Sequence, residues 1–174
     1  MKITFLGANR NVTGSRYCLE AAGARILIDC GLVQEREHLA RNWEACPIPP
    51  DSIDVLVVTH AHIDHIGLIP KLVADGFRGP IHATHPTVAL AEVMLKDSAK
   101  IQAVDAKYKK RRHEKEGRTG PYDEVPLYTD EDVAAALPLS AAGEVACWKH
   151  RCSARSVFRS HVALRTTPIV FVVA

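Results

Sequence analysis

Three histidines and one aspartate fall within six consecutive positions, at His60, His62, Asp64 and His65. Imidazole and carboxylate groups are the ligands that suit zinc, and a catalytic zinc site needs several of them at one point. The cluster directly follows the apolar run at residues 55–58. An apolar run with such an ending is typical of a buried strand that delivers ligands to the edge of a sheet. The sequence therefore predicts a metal site here.

The spacing of the cluster predicts two pairs of ligands. His60 and His62 are two residues apart, and alternate residues of an extended strand face the same side, so both imidazoles can bind one metal ion. Asp64 and His65 come where the chain turns into the next helix, so they project differently and can hold a second ion. Two ions roughly 3.5–4 Å apart suit phosphoester hydrolysis, since they lower the pKa of a bridging water to about 7. Asp64 can both ligate a metal and orient that hydroxide.

Asp29 is a further candidate, because it ends the apolar run at residues 25–28 and precedes Cys30-Gly31. Its carboxylate is expected at the same sheet edge as the cluster, where it can orient a metal ligand or a loop. The alternative is that Asp29 only caps a turn with Gly31.

These segments resemble the first two motifs of the metallo-β-lactamase superfamily: Leu27-Ile28-Asp29-Cys30-Gly31, and the cluster with Thr59 before it and Ile66-Gly67 after it. Four more segments resemble its RNA-processing β-CASP branch, namely Gly7-Ala8, Val12-Thr13-Gly14-Ser15, Leu68-Ile69-Pro70-Lys71-Leu72 and Gly79-Pro80-Ile81-His82-Ala83-Thr84. The similarity runs from Met1 to about Leu139.

The resemblance implies an α/β fold, the four-layer αββα sandwich, with two zinc ions and hydrolysis of RNA phosphodiesters by a metal-bound hydroxide. RNA is then the expected partner. His60, His62, Asp64 and His65 are the expected metal ligands, and Asp64 and Asp29 the expected catalytic residues.

The same resemblance requires motifs that the sequence does not show in recognisable form. A third motif, with a histidine between Ala-Gly and a hydrophobic residue followed by Leu-Gly-Ser, is expected after the helix that begins near Thr129. His161 lies near that place without the surrounding residues. We therefore expect one zinc ion or fewer in this chain.

Charge changes abruptly near residue 137. Residues 1–137 carry 17 basic and 19 acidic side chains, whereas residues 138–174 carry five basic side chains and one acidic side chain. We interpret residues 1–137 as the N-terminal part of a metallo-β-lactamase domain, the first half of the sandwich, and residues 138–174 as a divergent tail, either out-of-frame translation or disordered. A natural short homologue is the rival interpretation. An incomplete sandwich leaves one sheet face uncovered, which favours association, including homo-oligomers.

Composition sets broad limits. The net charge of +2 is too small to predict a nucleic-acid partner by itself. No apolar stretch is long enough to span a bilayer, and no secretory signal is recognisable, so no membrane partner is expected. The five cysteines have no zinc-finger spacing, and a reducing cytoplasm is the expected location.

The elements that position the cluster follow from periodicity and turn residues. Short strands at residues 2–6, 13–20 and 25–28 predict an antiparallel meander, followed by a strand at 55–58. The apolar pattern predicts a helix over 66–74 that stops at Asp75-Gly76, a strand at 80–84, and a long helix over about 87–116. Thr129 and Asp132 predict the capped start of another helix.

The basic run at residues 107–113 is a candidate for phosphate contacts, with Tyr108 available to stack on a base. Its alternative is a solvated helix face. Three functions follow from the sequence as a whole. They are a zinc-dependent ribonuclease, a non-catalytic metal-binding or interaction fragment, and a metallo-hydrolase that acts on small esters or thioesters.

Overall fold

The computed structural model describes residues 1–119 and 124–142. His161 and most of the tail predicted for residues 138–174 lie outside the described residues.

In the part of the chain that the structure describes, six strands form one mixed sheet in which the spatial order follows the chain order. They are β1 (Lys2–Phe5), β2 (Tyr17–Ala21), β3 (Ala24–Ile28), β4 (Val55–Val57), β5 (Ile81–Ala83) and β6 (Ser140–Ala142). Strands β1, β2 and β3 pair antiparallel, which confirms the predicted meander. Strands β3 to β6 pair parallel, so their carboxyl ends meet at one edge of the sheet.

The described residues also form four α-helices: α1 (Ile63–Ile66), α2 (Ile69–Ala74), α3 (His85–Glu116) and α4 (Asp130–Ala136). The 3₁₀ helices among the same residues are Arg36–Trp43, Pro50–Ser52 and Leu137–Leu139. Helix α3 ends as predicted before Gly117, which adopts a left-handed conformation at φ 62°. Across the described ranges, no helix is both long and apolar enough to cross a membrane.

The helix predicted over residues 66–74 is divided into α1 and α2. Pro70 lies in the first turn of α2, where its missing N–H costs no hydrogen bond. Leu68, at the break, donates its N–H to the Cys30 carbonyl at 2.9 Å. The prediction of one continuous helix was wrong because this backbone bond to the end of β3 replaces a bond within the helix.

The second strand is also shorter than predicted, since residues 13–16 do not join β2. The Thr13 N–H donates to the Glu35 carboxylate at 2.8 Å, and the Ser15 N–H donates to the Asp64 carbonyl at 2.9 Å. Loop contacts thus replace strand pairing directly beside the histidine cluster.

One face of the sheet packs against the helices and forms the main core. Cys18, Leu27, Leu56 and Ile81 are buried on this face, where the first three occupy facing positions on β2, β3 and β4. They share one cluster with buried helical residues, among them Ile66, Leu72, Leu95, Val133 and Ala136. Burial of this apolar area is the main favourable term that holds α1 and α2 against the strands.

The opposite face carries a separate apolar cluster made of strand residues. Leu19, Ile26 and Val55 are buried there, whereas Ile3 and Phe5 on β1 are 53% and 62% exposed. Exposed apolar side chains on this face therefore lie on β1, and an uncovered face left by an incomplete sandwich stays a prediction. Association through this face stays a prediction.

Helix α4 begins with the predicted capping box. The Thr129 hydroxyl accepts the Asp132 N–H, and the Asp132 carboxylate accepts the Thr129 N–H at 2.8 Å. Thr129→Ala removes the hydroxyl and should lower the free energy of unfolding by about 1 kcal/mol. Urea denaturation measures this change. Thr129→Ser keeps the hydroxyl and should retain most of the stability, and an equal loss in both variants would contradict the capping role.

Candidate metal centre

The carboxyl ends of β3 and β4 bring two separate segments of the chain together. Ile28 faces Val57 in the parallel register, and the Asp29 N–H donates to the Val57 carbonyl at 2.9 Å. Asp29 therefore follows β3 at the edge where Thr59 and His60 follow β4. The predicted placement of Asp29 and the cluster at one sheet edge is what the structure shows.

Asp29 carries a buried carboxylate that binds four groups. It is 2% exposed. The carboxylate accepts the Thr59 N–H at 2.8 Å, the Thr59 hydroxyl at 2.9 Å, and the Ser15 hydroxyl at 3.3 Å. The fourth partner is Nδ1 of His65, at 2.8 Å. Since ionised carboxylates are costly to bury without partners, this set of donors explains how the charge is accommodated.

The backbone of Asp29 is unusual, because its φ is +57°. Aspartate is among the few residues that tolerate this left-handed region. The conformation ends β3 sharply. Two residues later, the N–H of Gly31 donates to the Ser15 carbonyl at 2.9 Å.

His65 is oriented by Asp29. With the Asp29 carboxylate accepting at Nδ1, the tautomer with the proton on Nδ1 leaves the lone pair of Nε2 free for a metal. Nε2 lies 3.5 Å from the Asp64 carboxylate, and both side chains are 23% exposed. Asp64 and His65, the predicted second pair of ligands, are thus neighbours on helix α1.

His60 and His62 form the other pair. Nε2 of His60 lies 3.0 Å from Nδ1 of His62. Two imidazole nitrogens bound to one tetrahedral zinc, with bonds of about 2.0–2.1 Å, lie about 3.3 Å apart. The observed spacing is close to that value, so the two nitrogens fit as ligands of one ion.

The two pairs meet in space. The ring centroids of His60 and His65 are 3.9 Å apart, and Thr59 Oγ1 lies 3.0 Å from Nδ1 of His60. Burial lowers the pKa of His60, and the neighbouring His65 and His62 lower it further. The imidazole of His60 is therefore neutral near pH 7, which is the form that binds a metal.

The donors present suit zinc, but the described residues hold them as pairs. Within residues 1–119 and 124–142, no group of three or more His, Cys, Asp or Glu side chains is arranged to hold one ion. The assignment of His60, His62, Asp64 and His65 as ligands, and of Asp29 and Asp64 as catalytic residues, stays a prediction.

Backbone contacts hold α1 tightly against the end of β3. The Ser15 N–H donates to the Asp64 carbonyl at 2.9 Å, and the Cys30 N–H donates to the His65 carbonyl at 2.7 Å. A Cβ at Gly31 would lie 1.6 Å from the Asp64 carbonyl oxygen. Only glycine permits this approach, which explains the glycine two residues after Asp29.

Sequence reasoning missed the roles of Thr59 and Ser15. Both residues lie within the motifs, but the motifs assign neither of them a contact. Thr59 could have been found, because it directly precedes His60 and is a polar residue at the end of a buried strand. The contact between Ser15 and Asp29 spans 14 positions, and no local pattern signals it.

Comparison with known proteins identifies the family and agrees with the fold. The model of the metallo-β-lactamase superfamily matches residues 13–146, and the chain belongs to this superfamily. The α/β metallo-β-lactamase-like fold predicted from the motifs is confirmed, and the described sheet with its helical layer is part of the αββα sandwich.

Similar curated proteins belong to the RNA-processing β-CASP branch, which confirms the narrower resemblance. A ribonuclease of Thermus thermophilus is 46% identical over 101 residues, covering 58% of this chain and 23% of the relative. The transcription termination factor FttA of Methanococcus maripaludis is 37% identical over 126 residues, covering 70% of this chain and 18% of the relative. The chain thus spans less than a quarter of the length of either relative.

Among solved structures, a metallo-β-lactamase of Cronobacter sakazakii with a HARLDQ motif is 24% identical and has a TM-score of 0.36. The overlap covers 59% of this chain and 32% of that protein.

Asp29→Asn tests the buried carboxylate. The variant replaces one acceptor oxygen with an NH₂ group and removes the charge, so at least one of the Thr59 and His65 donors loses its partner. We expect the free energy of unfolding to fall by about 1–3 kcal/mol. Urea denaturation of the metal-free chain measures the loss. Asp51→Asn, at an exposed position, is the matched control. Equal stability of the two variants would refute the stabilising role of the Asp29 carboxylate.

Proposed function

We propose that this chain carries the first metal-binding segment of a zinc-dependent hydrolase that cleaves RNA phosphodiesters. The observation that carries the proposal is the pair of His60 and His62 nitrogens, 3.0 Å apart, beside a His65 ring that Asp29 orients. The 46% identity to a protein named as a ribonuclease supports RNA as the substrate class.

Each residue has a distinct task in this proposal. His60 and His62 hold one zinc ion, and Asp64 and His65 contribute to a second. When bound, the ions supply Lewis-acid activation of water and neutralise charge on the phosphate.

The chain's own side chains prepare that centre. Asp29 fixes the ring of His65 and keeps the proton on Nδ1. Thr59 links Asp29 to His60, since its hydroxyl lies within 3.0 Å of both side chains. Asp64 also orients the attacking hydroxide.

A second candidate function is a non-catalytic metal-binding fragment whose remaining ligands come from elsewhere. It is supported by the sequence, in which a third histidine motif is not recognisable. In this case the missing part of the nuclease is lost or supplied in trans. A hydrolase of small esters or thioesters is the third candidate.

Zinc binding tests the proposed ligands. We expect the purified chain to bind one zinc ion or fewer by metal analysis, and His62→Ala to weaken the affinity more than about tenfold. His38→Ala is the control, because His38 lies in the 3₁₀ helix Arg36–Trp43 and pairs only with the neighbouring Glu37, at 4.0 Å. Two tightly held ions would overturn the expectation of an incomplete ligand set, and equal affinities of the two variants would refute His62 as a ligand.

An RNA cleavage assay separates the three functions. Zinc-dependent cleavage that is lost in His62→Ala supports the hydrolase. Zinc binding without cleavage supports the non-catalytic fragment. Turnover of a small thioester without cleavage of RNA supports the third candidate.

The C-terminal part of α3 is proposed to contact the RNA backbone. Lys107, Lys110, Arg111 and Arg112 are exposed there, and Tyr108 is 66% exposed. Exposed basic side chains on one helix end can follow a phosphate chain, while an exposed aromatic ring can stack on a base.

The double variant Lys110→Ala/Arg111→Ala should weaken RNA binding and reduce its salt dependence. Each lost phosphate contact lowers the slope of log affinity against log salt by roughly 0.7 for a single strand. Fluorescence anisotropy at several salt concentrations measures the slope. Lys96→Ala/Lys100→Ala removes the same charge from the same helix, and an equal effect of both double variants would show only a general charge effect.

The boundary at residue 137 and the divergent tail over residues 138–174 also stay proposals. Both β6 and the end of the family match at residue 146 lie past that boundary. The gene sequence downstream of codon 137 tests the idea, because an out-of-frame tail requires the third histidine motif in another reading frame. The cytoplasmic location stays a prediction from the sequence.

A further inference from the structure

Glu35 lies outside the histidine cluster and holds the loop before β2. One carboxylate oxygen accepts the backbone N–H groups of Val12 and Thr13, each at 2.8 Å. The other oxygen accepts the Thr13 hydroxyl in a short contact. That hydroxyl in turn accepts the N–H of Gln34 at 2.8 Å. Glu35 and Thr13 therefore form a closed clamp between two segments that are 22 positions apart.

The clamp acts through an ionised carboxylate. The hydroxyl and the N–H of Thr13 hold the pKa of Glu35 at about 2, well below its usual value of 4.5. The lowered pKa means that the ionised form stabilises the fold. This contribution is present above about pH 4.5 and is lost as the pH falls towards 2.

The clamped loop leads directly to the candidate metal centre. Ser15, two residues after Thr13, donates its N–H to the Asp64 carbonyl at 2.9 Å and its hydroxyl to the Asp29 carboxylate at 3.3 Å. Its carbonyl accepts the Gly31 N–H at 2.9 Å. Ser15 thus touches both predicted catalytic residues, by side chain or backbone.

The residue between the clamp and Ser15 is closely packed. Gly14, between Thr13 and Ser15, has φ +81°, and a Cβ there would lie 2.6 Å from Cγ2 of Val33. Val33 is itself fixed, because the Asn42 side chain accepts its N–H at 2.9 Å and donates to its carbonyl at 2.8 Å. A displacement of Thr13 is therefore passed on to Ser15 instead of being absorbed by the loop.

We propose that Glu35 is a positioning residue for the metal centre, acting through Thr13 and Ser15 on Asp29 and Asp64. The inference rests on the proposed function for its consequence at the metal, whereas the restraint on Ser15 is a property of the metal-free chain.

Hydrogen exchange of the metal-free chain tests the restraint directly. Glu35→Ala should raise the exchange rates of the Ser15 and Gly31 amides about tenfold or more, since both amides depend on the clamped loop. Glu35→Gln keeps an acceptor for the two N–H groups and should fall between Glu35→Ala and wild type. The amides of Leu27 and Leu56 in the core should keep their protection, which shows that the variant is folded. If Glu35→Ala does not fold, Glu35→Gln decides the question alone.

Glu37→Ala is the matched control, because Glu37 follows in the same segment with its side chain 82% exposed. Wild-type exchange at Ser15 and Gly31 in the folded Glu35 variants would overturn the proposal.

Zinc affinity is the second measurement, and a merely structural role would not change it. Glu35→Ala should weaken zinc binding about tenfold, with partial rescue in Glu35→Gln and no change in Glu37→Ala. Faster exchange with unchanged zinc affinity would also overturn the positioning role. A failure of the proposed function, seen as no zinc-dependent cleavage of RNA, is distinct from a failure of the restraint, because the exchange rates are measured without metal.

Discussion

The buried carboxylate of Asp29 is the interaction on which the rest of the site depends. Its oxygens connect the loop at Ser15, the end of β4 at Thr59 and the first turn of α1 at His65. Ser15 lies 14 positions before Asp29, whereas Thr59 and His65 belong to one stretch that begins 30 positions after it. An ionised group at this depth must be fully hydrogen-bonded, so its charge forces the three segments to one point. In the metal-free chain, the hydrogen-bond acceptor that holds Ser15, Thr59 and His65 together is the Asp29 carboxylate.

The parallel part of the sheet makes this arrangement possible. Since β3 and β4 run side by side in the same direction, Asp29 and Thr59 leave the sheet at the same edge. The antiparallel strands β1 and β2 add the loop that contains Ser15. The mixed topology therefore has a structural consequence. The parallel strands place Asp29 and Thr59 side by side, and the antiparallel hairpin places Ser15 against Asp29.

Most of the elements could be predicted from the sequence, because they depend on local patterns. The strands that end at residues 28 and 57, the capped start at Thr129 and the glycine after α3 were all visible as periodicity or as cap residues. The placement of Asp29 beside the histidine cluster followed from its position after an apolar run. The contacts of Ser15 and Glu35 could not be predicted, because they join positions 14 to 22 residues apart through loops without regular pattern. The split between α1 and α2 was missed for a related reason, since a backbone bond to Cys30 decides it.

The energetics of the cluster explain why its support extends so far outward. The positive φ of Asp29 costs of order 1 kcal/mol or more. The hydrogen bonds to Asp29, each worth about 1.5–3 kcal/mol when they involve a charged group, offset this cost. Those bonds keep their value only if Ser15, Thr59 and His65 stay in place. The placement of Ser15 in turn depends on the clamp at Thr13. Loop hydrogen bonds that are anchored by a second carboxylate, Glu35, thus lie behind the contacts of Asp29, and we propose that they help to orient His65.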